Sequence, residues 1–274
     1  MGIPQSAELS KAQFKKISRL VYSIAGIDMA SGKQALVKSR LMKRLRGLEM
    51  HNFDDYLNFL ESPQGKSERG LMVDALTTNK TSFFRENAHF TYMAEKILPV
   101  LQKKRIRLWC AACSSGEEPY TMSIVLNENM PNISSHDIRI LATDISYNML
   151  TKARRAVYNT SRVNGLPSSI LRKYFNQVSD NGRPVYQVKK TIRRVVHFAW
   201  LNLMAPWPMK GPLDIIFCRN VMIYFDNKTK QRLIDRFWDI LAPGGYLFVG
   251  HSEGLSGISH RFESVRPAAY RKGS

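Results

Sequence analysis

Apolar residues in the first part of the chain recur every three or four positions, which is the spacing of one helix face. This periodicity predicts helices over residues 10–22, 33–48 and 52–60. A polar stretch at residues 61–70 follows them and is typical of a linker. We therefore expect residues 1–68 to fold as a small all-α domain.

From residue 69 onward, short apolar runs alternate with segments of helical periodicity. Such runs predict buried strands, and they lie at residues 106–112, 138–144, 194–200, 213–220 and 246–250. The alternation is typical of a doubly wound α/β sheet. Residues 262–271 predict an antiparallel hairpin at its edge, so we expect residues 69–274 to form one sheet domain.

One stretch interrupts this alternation. Asn181-Gly182 stands between short runs of alternating apolar residues, which is a strong signal for a two-residue hairpin turn. A further extended run is expected from Thr191. We predict a small antiparallel β-subdomain at residues 175–195, inserted in the sheet domain.

Small side chains follow the first predicted strand at residues 113–116, and the acids Glu117 and Glu118 come next. Small residues in the first βα turn let a ligand approach the backbone at the carboxyl end of the strand. The two acids would repel a diphosphate and favour a nucleoside that carries a sulfonium and no phosphate. An ordinary tight connection has the same appearance, so the turn alone leaves both interpretations open.

Polar residues end the other predicted strands. Asp144 is placed to hydrogen-bond the hydroxyls of a ribose, although a helix-capping role is the alternative. Asn202 and Leu203 follow the third strand, where a polar side chain could meet an adenine edge. Arg219 and Asn220 end a buried strand, where polar groups need partners such as a ligand.

Residues 77–85, just before the sheet, hold three threonines, one asparagine and one arginine beside two adjacent phenylalanines. Short polar side chains can cap a helix. So many of them in one short stretch favour a lip over a ligand instead.

The chain has 41 lysines and arginines against 22 acids, a formal charge of +19. Such a balance implies an acidic partner, whether nucleic acid, an anionic membrane or a carboxylate-rich protein. The bases Arg40, Lys43 and Arg44 share one side of the second predicted helix, and no acid occurs between Lys33 and Arg46. A solvated face is the plain explanation, and a docking face for an anionic partner is the alternative that we pursue.

Cys110 and Cys113 have the C-x-x-C spacing of zinc and redox motifs, but the sequence has no second pair. Small pocket-lining residues are therefore favoured, and no metal is expected. No apolar run approaches the roughly 18 residues of a membrane span, so we expect a cytoplasmic protein without membrane insertion. His251-Ser-Glu253 lacks the nucleophile elbow of a hydrolase.

Five motifs, in order and with matching spacing, resemble one family. They are Asn79-Lys-Thr-Ser-Phe-Phe-Arg85, Ala-Ala-Cys-Ser-Ser-Gly-Glu-Glu-Pro-Tyr120, Ala-Thr-Asp144, Cys-Arg-Asn-Val-Met-Ile-Tyr-Phe225 and Gly-His-Ser-Glu253. From about Phe14 onward the chain is similar to the CheR-type methyltransferases of bacterial chemotaxis. Each motif alone is weak evidence, and the set is strong.

The resemblance implies a class I, Rossmann-like methyltransferase fold. It also implies an enzyme that methylates glutamate side chains of chemoreceptors with S-adenosyl-L-methionine and releases S-adenosyl-L-homocysteine. Arg85 and Tyr224 are implied at the methyl-transfer site. The cofactor-binding residues that it implies are Asn79, Thr81, Arg85, Glu118, Asp144, Asn202, Leu203, Arg219 and Asn220.

The resemblance also implies partners. The acidic helical bundle of a chemoreceptor would dock on Arg40, Lys43 and Arg44, and a C-terminal receptor peptide would bind the β-subdomain. We expect a monomer that is recruited to membrane receptor arrays. A nucleic-acid methyltransferase would suit the charge, but residues 219–222 stand where base methylation usually shows an Asp/Asn-Pro-Pro-aromatic segment, so no nucleic acid is expected. A binding module that senses the nucleoside is the other alternative.

Overall fold

The computed structural model describes residues 7–101, 104–130 and 133–273. Their contacts divide the chain into two units. The helical unit runs up to Thr78 and includes the short segment Tyr224–Thr229, and the sheet unit comprises Asn79–Ile223 with the residues from Lys230 onward.

In the described residues, the α-helices of the helical unit are α1 (Lys11–Ala25), α2 (Gln34–Gly47), α3 (Phe53–Glu61) and α4 (Lys66–Leu76). The first three confirm the predicted helices within a few residues. Asn52 caps α3, since its side-chain oxygen accepts a hydrogen bond from the Asp55 N–H at 2.8 Å.

Helix α4 occupies the stretch that its composition predicts to be a linker. The predicted domain boundary at residue 68 lies inside this helix, and the helical unit continues to Thr78. The reason is Glu68, which is only 3% exposed and binds Arg44 of α2. A polar residue whose buried partner lies 24 positions away in the chain has the same appearance in the sequence as a solvated one.

The strands of the sheet unit are, in chain order, β1 (Arg105–Ala111), β2 (Asp137–Asp144), β3 (Val157–Asn159), β4 (Phe175–Asp180), β5 (Arg183–Val188), β6 (Val196–Trp200), β7 (Leu213–Cys218), β8 (Leu241–Val249), β9 (Glu263–Arg266) and β10 (Ala269–Arg271). Its helices are α5 (Ala88–Tyr92), α6 (Glu117–Asn129), α7 (Tyr147–Arg155), α8 (Thr160–Val163), α9 (Ser168–Tyr174), α10 (Lys190–Arg193) and α11 (Asn227–Ile240). Among the described residues, no helix combines the length and apolarity needed to cross a membrane.

The main sheet has seven strands in the order β6-β2-β1-β7-β8-β10-β9. The first five are parallel, whereas β10 is antiparallel to both of its neighbours. This confirms the predicted doubly wound sheet with an antiparallel edge hairpin. The strand order reverses between β1 and β7, and ligands of open α/β sheets bind at the carboxyl ends of the strands at such a point.

A second sheet, in the order β3-β5-β4, lies between β2 and β6 in the chain. Its hairpin turns at Asn181 and Gly182, whose φ angles are 51° and 75°, as a type I′ turn requires. The hairpin prediction is therefore confirmed. The extended run predicted from Thr191 is wrong at its start, because Thr191 lies in α10.

Candidate active site

The loop after β1 needs a glycine at its end. Gly116, the N-cap of α6, has a φ of 96°, and a Cβ atom there would lie 3.0 Å from the Ala153 Cβ and 3.1 Å from the Tyr158 hydroxyl. Ala112 and Ser114 in the same loop also have positive φ angles, 71° and 49°. Non-glycine residues held in this region carry strain and cluster at functional sites.

Asp144 at the tip of β2 is tied to this loop. Its Oδ2 accepts a hydrogen bond from the Ser114 N–H and its Oδ1 accepts one from the Ser146 N–H, both at 2.8 Å. The cap of α7 is Ser146 itself, whose Oγ accepts from the Met149 N–H at 3.0 Å. A side chain other than Asp144 therefore performs the capping function, and the two backbone donors fix the orientation of the Asp144 carboxylate.

Arg219, directly after β7, links three segments of the sheet unit. Its Nη1 donates to Glu118 at 2.7 Å, and its Nη2 donates to Glu86 at 2.9 Å and to the carbonyl of Arg85 at 2.5 Å. The side chain is fully buried. We call Arg219, Glu86 and Glu118 the arginine bridge. Because one guanidinium pairs with two carboxylates, the bridge has a net negative charge.

Two aromatic rings pack against the Arg219 guanidinium. Its guanidinium carbon lies 5.5 Å from the ring centroid of Phe90 and 5.9 Å from that of Phe217, within the range of cation–π contact. The Arg219 Nε atom is buried without a hydrogen-bond partner among the described residues.

Glu86 is a site residue that sequence reasoning missed. Besides Arg219, it accepts hydrogen bonds from the Asn220 Nδ2 at 3.1 Å and from the His251 N–H at 3.2 Å. Burial acts to raise the pKa of Glu86, but the bonds from Asn220 and Arg219 outweigh it and the pKa is lowered. The available signal was an acid directly after the Arg85 motif, at a place where a buried strand-end arginine needs a partner.

Glu253 organises the loops after β7 and β8. Its carboxylate accepts from the N–H groups of Asn220 at 2.6 Å, Ile223 at 3.0 Å and Gly250 at 2.7 Å. A Cβ atom on Gly250 would lie 2.6 Å from the Glu253 Oε2, so a side chain there would collide with it. Burial raises the pKa of Glu253, and the backbone donors partly offset that effect.

The predicted lip contacts the β1 loop. The carbonyl of Asn79 accepts a hydrogen bond from the Ser114 Oγ at 3.1 Å, and the carbonyl of Thr81 accepts one from Arg162 at 3.0 Å. The Arg85 side chain donates to the carbonyl of Lys80 at 2.6 Å.

The predicted adenine-side residues lie after β6. The Asn202 Oδ1 accepts from the Met204 N–H at 2.9 Å, and the carbonyl of the buried Leu203 accepts from Arg236 at 2.6 Å. Their backbone is thereby fixed where the third parallel strand ends.

Tyr224 groups with the helical unit rather than the sheet unit. Its carbonyl accepts a hydrogen bond from the Asp28 N–H at 2.8 Å, and the Lys33 ammonium lies 5.8 Å from its ring centroid. By its contacts Tyr224 belongs to the helical unit, whereas the predicted cofactor-binding residues belong to the sheet unit.

Two of the three predicted docking bases have partners inside the helical unit. Arg40 donates to the carbonyls of Leu76 at 2.6 Å and Thr77 at 3.0 Å, at the carboxyl end of α4. Arg44 donates two hydrogen bonds to Glu68, at 2.8 and 2.6 Å. Lys43 is exposed.

The three cysteines are free and buried. Burial raises the pKa of the Cys110, Cys113 and Cys218 thiols, so the reactive thiolate is disfavoured. Cys110 donates to Glu118 at 3.1 Å. It serves as a small neighbour of the arginine bridge.

One group of side chains could in principle hold a metal ion: ligand atoms of Glu86, His89 and His251 lie within 4.8 Å of one another. The Glu86 carboxylate already accepts hydrogen bonds from Arg219 and Asn220, and a metal would have to displace them. Burial and the nearby Arg219 lower the pKa of His89 to about 3, so its ring stays neutral.

Acids gather at this edge of a strongly basic chain. They are Glu86, Glu117, Glu118, Asp144 and Glu253. A phosphorylated ligand would be repelled by this set, whereas a cationic nucleoside with free ribose hydroxyls and no phosphate fits it. The structure therefore agrees with the kind of ligand that the two acids of the βα turn indicated.

Comparison with known families gives two matches that together span most of the chain. Residues 79–270 match the family described as CheR methyltransferase, SAM binding domain. Residues 12–77 match the one described as CheR methyltransferase, all-alpha domain. The boundary between the two matches coincides with the division of the structure after Thr78.

Relatives of similar length carry names that agree with these families. A probable chemotaxis protein methyltransferase of Rhizobium etli is 41% identical over 92% of this chain and 96% of its own length. The chemotaxis protein methyltransferase of Borreliella burgdorferi is 40% identical, over 96% of this chain and 95% of its own. That of Escherichia coli is 40% identical, over 93% and 88%.

Proposed function

The chain belongs to the CheR methyltransferase family, and we propose that it is a protein-glutamate O-methyltransferase that esterifies glutamate side chains of chemoreceptors. S-adenosylmethionine is the methyl donor of the family's sheet domain. The relatives' names as chemotaxis protein methyltransferases support the acceptor class.

The arginine bridge supports the part of the proposal that concerns the methyl donor. Arg219 neutralises only one of the two carboxylates that it binds, Glu86 and Glu118, so the local charge is negative. A sulfonium cation is stabilised by such a surplus, and Glu118 comes from the βα turn where the ligand of a doubly wound sheet lies.

The cofactor, when bound, supplies an electrophilic methyl group on its sulfonium sulfur. Asp144 is proposed to bind the ribose, because both of its oxygens are held in place by backbone donors. Asn202 and Leu203 are proposed on the adenine side. The lip residues Asn79 and Thr81 are proposed to lie over the ligand.

The acceptor needs positioning rather than a base. A glutamate carboxylate is already ionised at neutral pH and is a nucleophile in that form, so orientation and removal of water supply the acceleration. We propose that Arg85 orients the acceptor carboxylate, since its one side-chain bond to the Lys80 carbonyl uses only one of five N–H donors. Tyr224 is proposed to line the methyl-transfer site.

The test uses a receptor cytoplasmic fragment and cofactor labelled in its methyl group. A carboxyl ester is cleaved by mild alkali and releases labelled methanol, whereas N-methyl groups resist this treatment. We expect alkali-labile counts on the receptor, and about a 100-fold lower kcat for Arg85→Ala. Alkali-stable label would contradict esterification, and full activity of Arg85→Ala at saturating substrate would remove the role of that residue.

Receptor docking is proposed on the exposed part of the basic face of α2. Because Arg40 and Arg44 are bonded within the unit, reversing their charge would disturb folding as well as docking. Lys43 is the cleaner position. Lys43→Glu should raise the KM for the receptor, whereas Lys15→Glu on the exposed side of α1 serves as the matched control. Equal effects of both would indicate general charge attraction.

The β-subdomain is proposed to bind a C-terminal receptor peptide, and the chain is proposed to work in the cytoplasm at receptor arrays. Strand β4 lies at one edge of the small sheet, and such an edge can pair with an extended peptide. Deleting the receptor's last residues should raise KM if this is correct, and should change nothing if it is not.

A further inference from the structure

A cavity of about 340 Å³ lies beside helix α6 and edge strand β6. None of the proposed cofactor residues lines it. Its walls come from α6, α7, α10 and β6, and its lining residues are Tyr120, Arg154, Arg193, Val196, His197 and Phe198.

The polar side of this cavity is cationic. It contains two guanidiniums and one imidazole, and no acid is among its lining residues in the described part of the chain. Neither Arg154 nor Arg193 forms an ion pair with any described residue. Arg154 is exposed, so its lack of an ion pair is ordinary, whereas Arg193 is partly buried and still forms no ion pair within the described residues.

Arg193 is the more telling of the two. It is half-buried, its Nε atom is fully buried without a partner, and its side chain donates no hydrogen bond within the described residues. A guanidinium offers five N–H donors in a fixed plane. The Nε atom is enclosed by protein, but the Nη groups are not, and they are the donors that Arg193 offers to a ligand in the cavity.

Hydrogen bonds cross-link the helices and the strand that surround the two arginines. The Ser123 Oγ of α6 donates to the carbonyl of Ile192 in α10 at 2.9 Å. The Tyr120 hydroxyl donates to the carbonyl of Ala153 in α7 at 2.8 Å, directly before Arg154. Arg154 itself donates to the carbonyl of Phe198 in β6 at 3.0 Å. The guanidiniums therefore project from elements that are cross-linked around the cavity.

We propose that this cavity is a binding site for the phosphate group of a small phosphorylated ligand. The two guanidiniums keep unused N–H donors after the Arg154 bond to Phe198, and their two positive charges match a phosphate dianion better than a single carboxylate. The volume is within the range of small-ligand sites. The aromatic walls of Tyr120 and Phe198 leave room for the rest of the ligand beside its phosphate.

The test is calorimetric titration of the full chain with ribose 5-phosphate and, separately, with inorganic phosphate, in the absence of cofactor and receptor. The variants are Arg193→Gln and Arg194→Gln. Arg194 is exposed, does not line the cavity and carries the same charge, so it is a matched control. We expect Arg193→Gln to weaken binding by about tenfold or more and Arg194→Gln to leave it within about twofold.

The two phosphate probes distinguish an ester ligand from free phosphate, and binding of either supports the site. Arg154→Gln, on a different helix, should repeat the loss and protects the result against misfolding of one variant. Absence of heat with both probes at millimolar concentration would overturn the proposal. So would equal losses in Arg193→Gln and Arg194→Gln, or equally tight binding of glutarate. Since neither cofactor nor receptor enters the measurement, its outcome is independent of the proposed methyl transfer.

Discussion

In the helical unit, Arg44 donates two hydrogen bonds to Glu68, and the same carboxylate accepts one from the Tyr56 hydroxyl at 2.9 Å. In the sheet unit, Arg219 donates to Glu118, to Glu86 and to a carbonyl. Both clusters join an arginine to a glutamate across separate helices or loops, with Arg219 and Glu68 buried and Arg44 half-buried. They differ in charge: the first balances one cation with one anion, and the second has one cation for two anions.

The difference separates a structural ion pair from a binding site. A balanced pair lowers its own energy and needs no further partner, so Arg44 and Glu68 fasten α2 to α4. A cluster with surplus negative charge is incomplete by itself and becomes more stable when a cation arrives. A cluster of buried charges therefore indicates a binding function where the numbers of cations and anions differ.

The strongest test of this comparison removes the guanidinium of the sheet unit. Arg219→Met leaves Glu86 and Glu118 without their cation, and breaking a buried pair in this way costs about 3–5 kcal/mol of stability. Glu118 is then no longer held in place at the βα turn, so affinity for S-adenosylhomocysteine should fall by more than about 100-fold. Urea unfolding and calorimetry measure the two effects. Retained affinity in a folded variant would show that the bridge does not shape the cofactor site.

The matching change in the helical unit is Arg44→Met. Because the Arg44 side chain is 29% exposed, solvent replaces part of the lost interaction, and we expect a loss of about 2–3 kcal/mol in the free energy of unfolding. S-adenosylhomocysteine affinity should not change. Lys43→Met, one position away and exposed, is the control that should leave both quantities intact.

A smaller effect is expected when one carboxylate of the bridge loses its charge. Glu86→Gln keeps the shape of the side chain but places an amide where Arg219 and Asn220 donate. Cofactor affinity should fall about tenfold, or about 1.4 kcal/mol. Glu68→Gln is the counterpart and should reduce only stability. A loss of affinity in Glu68→Gln would contradict the separation of roles.

The smallest effect concerns Glu117, a buried acid with one carboxylate oxygen that accepts no hydrogen bond within the described residues. The Glu117 Oε1 has no hydrogen-bond partner among the described residues, the nearest Arg162 nitrogen lies 3.5 Å away, and burial raises the pKa of this carboxyl. The folded chain thus holds the proton more tightly than the unfolded chain, so ionisation of Glu117 costs stability at neutral pH. Glu117→Gln should unfold at higher urea than the parent at pH 7.5, by about 1 kcal/mol at most.

That advantage should shrink as the pH falls toward 4.5, the ordinary value for a glutamate, because the parent then carries the proton as well. Unfolding curves at several pH values measure it. A difference that grows on acidification would mean that Glu117 is stabilised by its charge.

Local periodicity was enough to predict much of the fold. The helices of residues 10–60, the parallel strands and the Asn181-Gly182 hairpin follow from spacing and turn chemistry, which act between near neighbours in sequence. Helix α4 could not be predicted in this way. Its polar face is buried by Arg44, and such pairing becomes visible only when the helices are in place.

The residues of the candidate site show the same difference between what local sequence and topology predict and what depends on distant contacts. The strand-end residues Asp144, Arg219 and Asn220 could be predicted because topology places strand ends together. Glu86 was missed, since its place directly after Arg85 does not by itself identify the residue 133 positions away that it contacts. The basic face was overestimated for a related reason: the acid that neutralises Arg44 comes from another helix.

The three-fold acceptor role of Glu253 has a consequence for motion. One carboxylate receives the N–H groups of Asn220, Ile223 and Gly250, so the loops after β7 and β8 cannot release their amides independently. Local opening of either loop must break bonds to the two oxygens of the Glu253 carboxylate. The two loops therefore form a single cooperative unit in amide hydrogen exchange. Entry and exit of a ligand at this edge are then governed by one shared opening event rather than by two separate loops.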